Sequence, residues 1–208
     1  MSSTNLIRWS GLAALVGGIL LAVLSILESV LFGSQPDSEV VASSAWIIVE
    51  VAWIVAALLI ILGLVGLYAR QAEQAGSLGL IAFLVALAGT VMVSGIDWSA
   101  AFMAPWFAET APELVDAEPT GVFLAGLLLS LVLLALGYFL FGLASLQARM
   151  LPRGAAVLLM VGAVLIVVMG FLESGFDVVV LGAALAWMGY ALWSGTAAEP
   201  ASIPEVAM

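Results

Sequence analysis

Five carboxylates are the side chains in this chain best placed to do chemistry. Glu28, Glu50 and Glu173 each lie twenty residues along the sequence from an arginine, respectively Arg8, Arg70 and Arg153. At about 1.5 Å of rise per helical residue, each carboxylate stands about 30 Å from the arginine level. Asp97 and Asp177 belong at a similar depth, since they close the matching stretches Ser94-Gly95-Ile96-Asp97 and Ser174-Gly175-Phe176-Asp177. Acids gathered at one level repel one another, and a proton or a hard cation such as Ca²⁺ would relieve the repulsion. The plainer expectation is that they mark where helices meet water, where charge is cheap. Two spacings speak for a pocket instead. Trp46 and Trp53 flank Glu50 at i−4 and i+3, on one helix face, and Thr90, Ser94 and Asp97 recur at i, i+4 and i+7.

The residues that are missing remove most other chemistry. The 208 residues contain no Cys, His or Lys, and the four positive charges are Arg8, Arg70, Arg149 and Arg153. Thiolate nucleophiles, zinc–thiolate sites, the usual imidazole base and the Lys of a phosphate-binding loop are therefore excluded. Asp97 and Asp177 could be compared with the dyad of an intramembrane aspartyl protease. Such a dyad needs carboxylates about 3 Å apart, whereas these two are placed at the interface, so a non-enzymatic protein is expected. A net charge of −10 argues against nucleic acid. No cofactor is evident beyond a cation.

The elements that must position these acids are membrane-spanning helices. Apolar residues make up 65% of the chain and charged ones 9%, against about 25% charged in soluble domains. Six stretches are long enough to cross about 30 Å of hydrocarbon, at about 9–32, 45–69, 77–97, 120–146, 154–174 and 178–194. The expected fold is an all-α transmembrane bundle of six helices in one domain, 1–194, with a flexible cytoplasmic tail over 195–208. The first apolar stretch, Gly11 to Leu27, is too long for a signal core and reads as a retained helix. An even number of spans puts all four arginines on one side, which the positive-inside rule makes the cytoplasm. Both termini then lie in the cytoplasm and the acids face outward. The outer connection 98–119, aromatic then acidic, fits one amphipathic helix lying in the interface.

Repetition is visible along the chain. Arg8 to Ser29 aligns without gaps on Arg153 to Ser174, and Gly66-Leu67 with Gln71-Ala72 echoes Gly142-Leu143 with Gln147-Ala148. Three parallel hairpins about an axis along the membrane normal are expected. Scattered glycines, among them Gly17, Gly18, Gly63, Gly89, Gly126, Gly162 and Gly170, suit close helix packing.

The stretch Leu67 to Gly76, the turn Ala148-Arg149-Met150-Leu151-Pro152-Arg153-Gly154 and the six-span layout resemble a broad set of uncharacterised bacterial integral membrane proteins. The resemblance implies a bacterial cytoplasmic membrane and a six-helix fold, and brings no activity or functional residues with it. Inside the membrane, polarity fades below Thr90. Ser130 is isolated near the midplane, and Tyr68, Tyr138 and Tyr190 are expected as belt residues near the cytoplasmic face. The expectation is thus a structural or accessory membrane protein with an outward-facing acidic pocket at Glu28, Glu50, Asp97, Glu173 and Asp177. The alternative is a small cation- or proton-coupled transporter. The lipid bilayer is the expected partner, with room for a homo-oligomer or a larger membrane complex.

Overall fold

A backbone surrounded by apolar side chains must bond its own N–H and C=O groups, and a helix does this within one segment. The computed structural model describes residues 3–33, 38–169 and 176–196, and these are helical throughout apart from short connections. The helices in chain order are α1 (Ser3–Leu31), α2 (Ser38–Val41), α3 (Ser44–Phe102), α4 (Ala104–Thr110), α5 (Pro112–Val115), α6 (Gly121–Ala148), α7 (Arg153–Met169) and α8 (Phe176–Ser194). Among the described residues, four stretches are long and apolar enough to cross a membrane: Asn5–Leu31, Ser44–Thr110, Gly121–Ala148 and Asp177–Ser194. Arg153–Val168 is a shorter apolar helix. Their outward faces carry Ile48, Leu58, Val91, Phe123 and Val168 exposed, the reverse of a soluble domain.

Gly76 divides α3 into two arms. Its φ of 55° and ψ of −144° are non-helical, in a region that essentially only glycine occupies. The arms, 44–75 and 77–102, run antiparallel side by side. The Trp46 indole N–H donates to the carbonyl of Ala100 at 3.0 Å, and Tyr68 stacks on Phe83 with centroids 4.7 Å apart. The first arm begins at Ser43, whose hydroxyl accepts the Trp46 backbone N–H.

The two arms, α1, α6, α7 and α8 form a ring of six long segments. α1 lies against the first arm of α3 on one side and α8 on the other; the second arm meets α6, α6 meets α7, and α7 meets α8. Small residues set these approaches. A methyl at Gly17 would meet Ile60, at Gly89 the backbone of Leu134, and at Gly162 the backbone of Leu181. At the closing seam Gly18 and Gly182 bring α1 and α8 together backbone to backbone, and the Arg8 guanidinium Nε–H donates to the Trp193 carbonyl at 3.2 Å. Neighbours are antiparallel all round. Ser10 lies by Gly66, Ala86 by Gly137, Ala156 by Gly142, and Gly11 by Gly189. Arg8, Arg70, Arg149 and Arg153 consequently fall at one end, the basic end. Glu28, Glu50, Asp97 and Asp177 fall at the other. Arg149 ends α6 in the left-handed region (φ 58°, ψ 21°), with its N–H donating to the Ser145 carbonyl.

The connection over 98–119 differs from the single amphipathic helix expected there. α3 runs on through Phe102, and two short helices come after it. Pro105 and Pro112 each stand in the first turn of a new helix, and Ala111 (φ −154°, ψ 65°) breaks the path between them. The Asp116 carboxylate then accepts from Ser38, from its backbone N–H at 3.0 Å and its hydroxyl at 3.3 Å, holding the start of α2. The last expected span, 178–194, matches α8 closely. Part of the span at 154–174 and nearly all of the tail at 195–208 fall outside the described residues.

Candidate functional site

Position within the ring explains which polar groups meet. The buried face of the first α3 arm reads Trp46, Val49, Glu50, Ala56, Ala57, Ile60, which places a carboxylate on the same stripe as core residues. At the acidic end this stripe and the facing segments enclose a cavity of about 390 Å³. Every long segment contributes to its wall: Glu28 from α1, Glu50 and Asp97 from the two arms of α3, Tyr138 from α6, Ile166 from α7 and Asp177 from α8. Among the described residues no arginine lines it.

The carboxylates differ in their surroundings. Glu28 accepts a hydrogen bond of 2.8 Å from the Trp53 indole N–H. Glu50 is only 4% exposed, lines the cavity and takes no hydrogen bond from a described residue. Asp177 is 8% exposed, in the first turn of α8, where its charge meets the helix's positive end. Asp97 completes the set from the second arm of α3. Four of the five expected residues thus share one cavity, and Glu173 lies outside the described residues. Among the described residues no three acids converge closely enough to hold a single metal ion.

The aromatic walls are built in by hydrogen bonding. Trp46 is buried and tied to Ala100, so it belongs to the cavity and not to an interfacial belt. Trp9 and Trp98 are exposed on the outside of the bundle. Tyr138, expected near the cytoplasmic face, is 1% exposed in the interior. Its hydroxyl donates to Thr90 Oγ1 at 2.9 Å, because the Thr90 hydroxyl itself donates to the Ala86 carbonyl at 2.8 Å. This satisfied chain lies at the floor of the cavity. Ser94, in the expected polar stripe, does not line the cavity; Val93 and Ile96 do. Toward the basic end Leu64, Phe141, Leu159, Leu185 and Met188 fill the interior.

Two polar residues there were missed. Gln71 and Ser145 are both fully buried, and neither the Gln71 amide nor the Ser145 hydroxyl finds a partner among the described residues. Their spacing could have revealed them. Ile60, Leu64, Leu67, Gln71 and Ala75 form one stripe, as do Tyr138, Phe141, Ser145 and Ala148. The Ser130 hydroxyl, by contrast, is satisfied by the Gly126 carbonyl.

No protein-family model, curated protein or solved structure matches the chain.

Proposed function

We propose that the chain is a six-span protein of the bacterial cytoplasmic membrane, built as three hairpins with both termini in the cytoplasm. Its role is non-enzymatic, structural or accessory, and its outward-facing acidic pocket binds a cation. The observation that carries the binding role is Glu50: a carboxylate buried in the cavity wall, with no described hydrogen-bond donor and no arginine beside it. A buried charge without a partner is costly, and a bound cation would offset that cost. The six-span arrangement draws support from the antiparallel ring and from the break at Gly76, which gives α3 two arms of spanning length.

Two measurements test this. In the Cys-free chain, Glu113→Cys reacts with an impermeant thiol reagent applied to intact cells, and Gln74→Cys does not; labelling of Gln74→Cys from outside overturns the orientation. For binding, thermal unfolding in detergent is followed with Ca²⁺ or an organic ammonium. A cation at about a hundred times its Kd adds about 2.7 kcal/mol of stability to a folded state that alone binds it. Curves indifferent to every cation would leave the pocket without this role.

A cation- or proton-coupled transporter is the second reading. Gln71 and Ser145 favour it, as buried polar groups near Arg70 and Arg149 at the basic end that find no partner among the described residues. Uptake into proteoliposomes that Gln71→Leu abolishes would support transport over passive binding.

A further inference from the structure

The cavity combines two properties that select a particular kind of cation. Its wall is dominated by Leu, Ile, Val and aromatic carbon, and among the described residues its acidic and basic side chains are all carboxyls, Glu28, Glu50, Asp97 and Asp177. Ca²⁺ takes six to eight oxygen ligands at about 2.3–2.6 Å. The described acids do not converge to supply even three for one ion. An organic cation needs no such coordination. Its apolar body gains from burial against the wall, and its charge is drawn by the carboxylates and by the faces of nearby aromatic rings.

The geometry points to an ammonium-type organic cation with an apolar body as the ligand of this cavity, its charged end at Glu50 between Trp46 and Trp53 and its apolar end toward Leu21, Leu134 and Leu181. The proposal rests on the reading of the cavity as a cation site. Glu50 is the recognition group because it is the less exposed of the two buried cavity acids that take no described hydrogen bond, 4% exposed against 8% for Asp177. Asp177 already stands in the first turn of α8, where the helix's positive end offsets its charge. Glu28 already accepts from Trp53, which fixes that indole in the wall. The cavity's volume of about 390 Å³ lies within the range of small-molecule sites, about 300–1,000 Å³.

The test is calorimetric titration of the full chain in a maltoside detergent, which carries no ammonium group of its own. The probes are benzyltrimethylammonium, its neutral carbon isostere neopentylbenzene, and Ca²⁺. The expected result is saturable binding of the ammonium, about tenfold or more tighter than the isostere, a preference a desolvated cation–π and carboxylate site readily supplies. Millimolar Ca²⁺ does not displace it. Glu50→Gln removes most of the preference for charge and leaves binding of the neutral isostere intact, which also shows that the variant is folded; Glu50→Leu, which removes the same charge from a buried position, serves if Glu50→Gln does not fold. Binding or displacement by Ca²⁺ would overturn the ligand class and keep the cavity as a cation site. Equal binding of ammonium and isostere, or binding of neither ammonium nor Ca²⁺, would overturn the cation site itself.

Discussion

Single side chains carry the clearest consequences of this interior. Gln71 holds a whole amide in the core with no described partner, and a buried polar group left unpaired costs about 1–3 kcal/mol. Gln71→Leu is therefore expected to raise thermal stability in detergent by an amount of that order. A fall instead would mean that water satisfies the amide, and would strengthen the transport reading. Tyr138→Phe removes the donor to Thr90 and leaves the Thr90 bond to Ala86 in place. It should lower stability by about 1 kcal/mol, read from the same unfolding curves, without changing cation affinity by much. The acids were legible in the sequence because charge is rare in an apolar helix. Gln71, Ser145 and Tyr138 were hidden because a polar side chain on a buried stripe looks like any other until its neighbours are counted every third and fourth residue.

At the scale of elements, glycine and proline decided more than hydrophobic pattern. Apolar length locates the long helices, and the stretches 45–69 and 77–97 leave Gly76 in the connection between them. The sequence could not show how abrupt that connection is, with one residue turning the chain between two arms. Gly76→Ala forces a side chain into a backbone region that strains by about 1–3 kcal/mol. The expected outcome is a lower unfolding temperature with the rest of the fold retained, and an unchanged temperature would show that the turn relaxes freely. Amphipathicity over 98–119 suggests one helix, but Pro105 and Pro112 interrupt it. Proline in a first turn ends the preceding helix and starts a new one, and here that effect prevailed. The Ser38–Asp116 bonds, linking residues far apart in sequence, had no local signal at all.

The whole molecule is a ring in chain order, closed where α1 meets α8. Hairpin repetition suggested neighbours but not closure, which depends on Gly18 and Gly182 meeting across the first and last helices. Closure is what gathers acids from α1, α3 and α8 around one space. It also separates that space from the basic end by a filled interior. The proposed pocket opens at the acidic end and is shut at the basic end. Val93 lines the cavity without joining its hydrogen bonds, so Val93→Cys reports access directly. An impermeant thiol reagent should label it in intact cells and fail to label it in inverted membrane vesicles, where the cytoplasmic side faces the reagent. Labelling only in the inverted vesicles would mean that the pocket opens to the cytoplasm instead.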